Sequence, residues 1–242
     1  MSGHSKWKNI MHKKEKTDAQ RAKIFTKIGK EMAIAVKEGG PDPAVNSKLA
    51  QLITKAKANN VPNDNIERTI KKASSSDAAS LEEMRYEGYG PAGVAVIVIA
   101  ATDNTNRTTP EIRSYFSKYK GNLGTTGCVG YLFEDKGVIM ISKEEGYDED
   151  ELMEASLEAG AADFVSDEEA YIIYTEDNDL EAVAADIEKA GFKYVSAEHD
   201  KIPSTYVTLD NEDDIKYMNL LIEHLEDNDD VTEVYHNWEN CD

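Results

Sequence analysis

The longest apolar run of the sequence is GVAVIVIAA, residues 93–101. Its β-branched side chains and its short length are typical of a buried strand, because a membrane-spanning helix needs about 18 or more apolar residues in succession. The run follows Gly90-Pro91-Ala92, and a second strand pattern covers 84–89. The two strands are therefore predicted to form a hairpin with a glycine-rich turn, and no membrane partner is expected.

The segments after this hairpin alternate between helix and strand patterns. A helix near 109–119 and a strand over 128–133 make one β-α-β half. Residues 137–197 then show a complete β-α-β-β-α-β series, the ferredoxin-like unit. Beyond Pro203 the strand, helix and strand patterns of 205–235 make a second β-α-β half.

Two halves that flank a complete unit indicate an insertion. A β-α-β half leaves a sheet edge and an apolar face uncovered, so the two halves are expected to pair with each other. We expect a discontinuous α+β domain over 81–134 and 203–242, with an inserted ferredoxin-like α+β domain over 135–202. A simple tandem order of the domains is the alternative.

The first third of the chain has helical periodicity. Three apolar stripes at spacings of three and four residues are separated by Gly39-Gly40-Pro41 and by Asn59-Asn60. They predict a basic helical domain over 1–76, which the small polar residues 74–80 separate from the remainder. The predicted fold class is α+β: an N-terminal three-helix bundle plus two ferredoxin-like α+β domains, the third domain inserted in the second.

Charge is distributed very unevenly along this chain, whose formal net charge is −20. Up to Lys72 there are 16 Lys and Arg against 7 Asp and Glu, a net charge of +9; the remaining residues have 11 against 40, a net charge of −29. A basic segment on an acidic protein favours binding of a nucleic acid at that end.

The sequence shows no constellation of catalytic residues. The five histidines are scattered, and the acidic runs lack the spacing of a calcium loop. The glycine-rich stretch 121–127 lies after a helix and before a strand, the reverse of a phosphate-binding loop. We therefore expect no enzymatic activity, no metal, no cofactor and no small-molecule substrate. Two cysteines and no apolar leader predict a cytoplasmic protein.

A polar loop between the predicted strand and helix is a possible functional site. It concentrates hydrogen-bonding side chains around one arginine, and the candidate residues are Asp103, Asn104, Asn106 and Arg107. The alternative is a helix N-terminus capped by Thr108 or Thr109, with Pro110 at the first helical position.

The clearest chemistry is that of the basic arm and the helix that follows it. Lysine and arginine can neutralise phosphates, and tryptophan and histidine rings can stack on unpaired bases. The candidate nucleic-acid-binding residues are His4, Lys6, Trp7, Lys8, His12, Lys13, Lys14, Lys16, Arg21, Lys23, Lys27 and Lys30. A solvated lysine-rich face is the alternative, but nine basic residues against two acidic in the first thirty favour binding.

Several motifs resemble those of the YebC/PmpR family along the whole chain. They include GHSKW at 3–7, KIFTK at 23–27, YEGYGP at 86–91, NRT at 106–108 and GNLG at 121–124. The resemblance implies a helical bundle and two α+β domains, the third inserted in the second. One difference is Cys128, where the family usually has serine, so we do not assign it a function.

The resemblance also implies two kinds of function. Bacterial members are named as probable transcriptional regulators that bind DNA. Other members, including the mitochondrial translational activator of cytochrome c oxidase, are placed on the ribosome, where they relieve stalling at proline-rich stretches. The expected partner is thus the ribosome with its RNA, or DNA. The ribosome suits the charge distribution better, because the acidic remainder would be repelled by naked DNA.

Overall fold

The computed structural model describes residues 18–75 and 80–241. In chain order the elements are α1 (Asp18–Gly39), α2 (Ser47–Ala58), α3 (Asn63–Ala73), β1 (Glu82–Tyr89), β2 (Ala95–Thr102), α4 (Thr105–Lys118), β3 (Asn122–Leu123), β4 (Phe133–Ser142), α5 (Glu149–Glu158), β5 (Asp163–Ser166), β6 (Ala170–Glu176), α6 (Leu180–Lys189), β7 (Ser196–Pro203), α7 (Glu212–Asp227) and β8 (Val231–His236). Short 3-10 turns join several of them.

The described chain divides into two compact units. Residues 132–208 and 238–241 belong to one unit, and 18–131 with 209–237 belong to the other. The second unit contains the helical bundle together with the sheet that β8 completes. The predicted fold class is confirmed: the protein is α+β, with an N-terminal three-helix bundle and with one α+β domain inserted in another.

The bundle is held by the apolar stripes of its three helices. α1 ends where Gly40 adopts a positive φ of 85°, a conformation that glycine takes without strain. Asn46 then caps α2 by accepting from the Leu49 N–H, and its amide donates to the Ala35 carbonyl. The buried core of the bundle consists of Ile28, Met32, Ala35, Val36, Leu49, Ala56 and Ile66.

The apolar run 93–101 forms the centre of the first sheet. The strand order is β3-β1-β2-β8, with every neighbouring pair antiparallel. β2 is buried along almost its whole length, since it lies between β1 and β8 and also contacts α1 of the bundle. The bundle therefore packs on this sheet, and α4 and α7 also contact each other within the same unit.

The inserted domain is a complete ferredoxin-like unit. Its strand order is β5-β6-β4-β7, again with antiparallel neighbours. The two faces of its sheet carry separate apolar clusters. The larger cluster packs α5 and α6 against Ile139, Ile141 and Ile173, and the smaller one surrounds Val138, Met140 and Ile172.

Two predicted strands are absent from the described residues. Residues 128–132 form a turn and a short 3-10 segment, because the Val129 and Gly130 N–H groups donate to the Glu87 carboxylate, at 2.9 and 2.7 Å, instead of to a neighbouring strand. The prediction for 205–209 was also wrong. There Val207 makes one isolated bridge, to Trp238, and the ladder belongs instead to β7, which ends at Pro203.

Gly88 tests the packing of the first sheet. A Cβ at this position would lie 2.6 Å from the Asn122 carbonyl oxygen and 2.9 Å from the Phe116 ring, so β3 or α4 would have to shift. We expect Gly88→Ala to lower the free energy of unfolding by about 1–3 kcal/mol in chemical denaturation. The matched control is Gly29→Ala in α1, where the nearest heavy atom lies 4.0 Å away. This control should raise stability by up to about 1 kcal/mol, and equal stability of the Gly88 variant and the wild type would contradict the packing.

Candidate nucleic-acid interface

Eight of the predicted nucleic-acid-binding residues belong to the arm, and they lie outside the described residues. They are His4, Lys6, Trp7, Lys8, His12, Lys13, Lys14 and Lys16. The structure describes the other four, Arg21, Lys23, Lys27 and Lys30, all of which belong to α1. These four do not share one face of the helix, and Lys23, Lys27 and Lys30 contact the acidic segment 226–230.

Lys23, Lys27 and Lys30 contact the end of α7 and the turn that follows it. The Lys23 Nζ lies 2.9 Å from the Asp227 carboxylate. The Lys27 Nζ donates to the Glu226 carbonyl at 2.5 Å. The Lys30 Nζ donates to the Asp230 carboxylate at 2.7 Å and to the Asp229 carbonyl at 2.9 Å. These three lysines therefore fasten the bundle to its own acidic segment 226–230.

The partners suit each other electrostatically. Carbonyls at the C-terminal end of a helix carry partial negative charge, and α7 adds carboxylates at the same end. The hydrogen bond from Lys23 lowers the pKa of Asp227. Burial lowers the pKa of Lys27, and the negative charges of Glu226 and Glu233 act against this effect.

Asp230 is the most connected side chain of this contact. Besides Lys30, its carboxylate accepts from Arg107 at 2.6 Å, Thr108 at 2.7 Å and Thr102 at 3.2 Å. The Asp230 side chain is only 7% exposed. Burial acts to raise the pKa of this carboxyl, but the hydrogen bonds from Lys30, Arg107 and Thr108 outweigh burial and hold the pKa well below its usual range. One carboxylate thus joins α1, the end of β2, the first turn of α4 and the start of β8.

The loop after β2 starts the helix that carries two of the Asp230 donors. Asn104 is the N-cap of α4 and accepts from the Arg107 N–H, so the helix begins at Thr105. The predicted caps Thr108 and Thr109 and the first-turn position of Pro110 were wrong. The Thr108 hydroxyl faces Asp230 and Thr102, and Pro110 lies inside the helix.

The candidate loop residues have different surroundings. Arg107 pairs with Asp230 and, at 3.2 Å, with Asp103. Asp103 and Asn106 are exposed. The loop is therefore anchored through Arg107, while two of its polar side chains face solvent.

A second set of ion pairs fastens the bundle to the sheet. Lys55 of α2 lies between Glu31 of α1 and Glu233 of β8, and it donates to both carboxylates. Burial acts to lower the pKa of Lys55, but the two carboxylates outweigh burial and raise it. Lys48 bridges Glu38 and Glu83 at 3.3 and 3.1 Å. Sequence reasoning missed these lysines because their partners lie in distant segments.

A groove lies between α1 and α3 of the bundle, with a cavity volume of about 170 Å³. Phe25, Ile28, Met32, Val61 and Ile66 form its apolar lining. Its polar lining consists of Thr26, Asn65, Arg68 and Thr69, and Gly29 completes the wall on the α1 side. Phe25 is partly exposed in this groove, although its spacing in the sequence predicts a core position.

The groove and the lysine contact belong to opposite sides of α1. Phe25, Gly29 and Met32 follow the same spacing as Lys23, Lys27 and Lys30, but they are offset by two residues. At 3.6 residues per turn, this offset corresponds to a rotation of about 200°. The groove therefore lies away from the acidic segment.

Further cations lie on α2 and α3, where the sequence analysis assigned none. Lys57, Arg68, Lys71 and Lys72 are exposed. Arg68 donates to the Asn65 side chain at 2.7 Å. Within the described part of the chain, none of the four forms an ion pair with a carboxylate. The sequence signal for Arg68, Lys71 and Lys72 was the run Arg68-Thr69-Ile70-Lys71-Lys72 at the end of an amphipathic helix.

The glycine-rich loop before β4 is a structural element. The Glu87 side chain is almost fully buried, and it pairs with Arg85 at 2.9 Å. Burial acts to raise its pKa, but backbone N–H donors of residues 127–130 and the Arg85 charge lower it. Burial and the Glu87 charge raise the pKa of Cys128, which disfavours the reactive thiolate.

Two further findings concern residues 18–75 and 80–241. No group of three His, Cys, Asp or Glu side chains in these ranges could hold a metal ion. Within the same ranges, no helix is both long and apolar enough to cross a membrane.

These features define a class of protein, in which a basic helical bundle is fastened by ion pairs to an α+β domain that carries an inserted ferredoxin-like domain. Two models of one protein family match successive parts of this chain. The model of the TACO1/YebC protein N-terminal domain matches residues 5–76, and the model of the TACO1/YebC second and third domain matches residues 81–238.

Relatives match along nearly the whole chain. Proteins named probable transcriptional regulatory protein are 56% identical in Acetivibrio thermocellus and in Agathobacter rectalis. The two alignments cover 98% and 99% of this chain, and 99% and 100% of the respective relatives. The crystal structure of a conserved hypothetical protein from Aquifex aeolicus has a TM-score of 0.82 and 44% identity over 93% of each chain. The chain belongs to the TACO1/YebC family, also called YebC/PmpR.

Asp230→Asn tests the contact between the bundle and the sheet. The amide keeps the shape of the side chain but leaves Lys30 and Arg107 facing a neutral group. We expect the free energy of unfolding to fall by about 3 kcal/mol in chemical denaturation, the usual consequence of breaking a buried ion pair. Asp227→Asn removes a carboxylate from a largely exposed pair and should change stability far less. Equal losses for the two variants would contradict the central position of Asp230.

The stability difference between the wild type and Asp230→Asn should depend on pH. The native pKa of Asp230 lies below the unfolded value of about 3.9. Its contribution to stability is therefore fully present above that pH and is lost as the pH falls below about 4. The difference in unfolding free energy between the wild type and Asp230→Asn should stay level between about pH 5 and 7 and should shrink in acid. A difference that grows in acid would contradict this assignment.

Proposed function

We propose that this protein regulates gene expression by binding ribosomal RNA through its basic arm and bundle. On the ribosome it would assist translation at proline-rich stretches, as the resemblance implies. The observation that carries the proposal is the division of cations in the bundle. Three lysines of α1 are fastened to the protein's own acidic segment, while the cations of α3 remain exposed beside a groove with an aromatic ring.

The exposed cations suit a phosphate backbone. Arg68 and Lys72 lie four residues apart on one face of α3, so they can contact neighbouring phosphates of the same strand. Residues 18–75 carry 11 Lys and Arg against 6 Asp and Glu, and the arm before them adds five further lysines. The arm and this face of the bundle therefore supply the positive charge that the remainder of the chain lacks.

The acidic remainder favours a compact RNA target over naked duplex DNA. The net charge of −29 beyond Lys72 repels a phosphate backbone that approaches those residues. On a ribosome, the arm and bundle can contact RNA while the acidic domains face solvent or ribosomal protein. Binding of this kind weakens as salt is added, because each neutralised phosphate releases a counterion.

A DNA-binding transcriptional regulator is the second candidate. The names of the relatives in Acetivibrio thermocellus and Agathobacter rectalis favour it. Sequence-specific reading requires side chains that donate to base edges in the major groove. This candidate predicts binding to particular promoters with little change when ribosomes are present, whereas the ribosome proposal predicts co-sedimentation with ribosomes.

The proposed activity is binding rather than catalysis, and the proposed location is the cytoplasm. In the described residues the principal buried carboxylates, Glu87 and Asp230, are held by backbone donors or by cations. Hydrogen bonds and ion pairs hold both pKa values below the usual range, the opposite of what a general acid requires.

Replacement of Lys6, Trp7, Lys13 and Lys14 together by alanine tests the proposed role of the arm. We expect the variant to lose co-sedimentation with ribosomes in a sucrose gradient. We also expect the plot of log binding constant against log salt concentration to become shallower by about two units of slope for the residual RNA binding, since three cations are removed. The control replaces Lys143, Lys189 and Lys193 of the inserted domain by alanine, which removes the same charge elsewhere.

Co-sedimentation should persist in the control. Unchanged sedimentation of the arm variant would overturn the proposal. The transcriptional candidate would be favoured by another result: the wild type does not co-sediment with ribosomes, and the wild type and the control shift a promoter fragment in a gel while the arm variant does not.

A further inference from the structure

The groove between α1 and α3 has the features of a site for one planar ring. We propose that it binds an unpaired nucleobase of single-stranded RNA, stacked against Phe25, while Arg68 and Lys72 hold the adjoining phosphates. This inference rests on the proposed function, since it names a particular contact within the RNA-binding bundle.

The groove has room for a planar ring. Its cavity volume is about 170 Å³. A cavity that holds a single water encloses about 10–15 Å³, so the groove is much larger than a water site.

The lining is suited to a base. Phe25 is partly exposed and faces the groove instead of joining the buried core of the bundle. Stacking on an aromatic ring accepts any base, because every base has a π-face. Ile28, Met32 and Ile66 exclude water from the apolar part of the groove, which strengthens the contact.

Polar groups at the rim can contact the edge of the base. The Asn65 side chain accepts from Arg68 through its oxygen, so its amide N–H groups remain available as donors. Thr69 also lines the groove, and its Cγ2 methyl lies 4.0 Å from the position that a Cβ at Gly29 would take. Unpaired bases in RNA present hydrogen-bonding edges of this kind to proteins.

Charge favours a nucleic acid over a peptide as the occupant. Arg68 lines the groove, and Lys72 follows it by four residues on the same face of α3. Arg21 lies one turn before Phe25 on α1, so a third cation flanks the same end. Asp64 lies one turn before Arg68 on the same face, so the face has two cations against one carboxylate, whereas Glu67 is displaced from Arg68 by about 100° around α3.

Gly29 is a further feature that keeps the groove open. A glycine in the middle of a helix weakens the helix, and a Cβ here would meet only Thr69 Cγ2, at 4.0 Å. Packing against a neighbour therefore does not require glycine at this position. Its effect is to leave the α1 wall of the groove open between Phe25 and Met32.

The test measures the binding of full-length protein to two labelled single-stranded oligonucleotides of about ten residues. One is RNA with bases, and the other has the same backbone with abasic positions. Fluorescence anisotropy should show the RNA with bases bound about tenfold more tightly by the wild type. Gly29→Leu fills the groove, and Phe25→Ala removes the stacking ring; both variants should lower the preference for the RNA with bases several-fold, with affinity for the abasic one unchanged.

Thr54→Leu is the matched control, because it adds a leucine at an exposed position of α2 outside the groove. It should keep the tenfold preference. The proposal is overturned if the wild type shows no preference for bases, or if Gly29→Leu retains the full tenfold preference while folded. If the wild type binds ribosomes but shows no preference for RNA with bases, the base site alone is refuted. If the wild type binds no RNA at all, both the base site and the proposed function are refuted.

Discussion

The Asp230 carboxylate is the constraint on which the arrangement of the larger unit depends. Lys30 comes from the bundle, Arg107 and Thr108 come from the first turn of α4, and Asp230 itself precedes β8. A buried carboxylate without such partners would be very costly, so these elements stabilise one another only in this arrangement. The basic bundle is thereby fixed against the acidic segment that neutralises part of its charge.

This contact decides which face of the bundle can meet another molecule. α1 carries two stripes offset by two residues, one of lysines that face the acidic segment and one that lines the groove. The helix thus separates an internal electrostatic contact from an external surface. A charge count along the sequence gives equal weight to every lysine, whereas in residues 18–75 the fold pairs Lys23 and Lys30 with carboxylates and leaves the cations of α3 exposed.

Local patterns were enough to predict most elements and the fold class. The apolar spacing of α1 and the apolar run of β2 reflect burial directly. The ferredoxin-like series is visible in the sequence because helical and strand patterns of apolar residues follow one another. The errors arose where a distant side chain replaced a local partner. Glu87 takes the N–H groups of residues 129–130 that a strand would have paired, and Asp230 draws in Thr108, which was predicted as a cap. The partners of Lys23 and Lys30 lie about two hundred residues away, beyond any local pattern.

The most direct test of this account is photo-crosslinking of the full-length protein to ribosomal RNA, with the cross-linked peptides identified by mass spectrometry. The account predicts cross-links in the arm, in the first half of α1 around Phe25 and in α3, with none in the inserted domain over 135–202. Cross-links concentrated in the inserted domain, or at Lys23 and Lys30 while the Asp230 contact is intact, would contradict it.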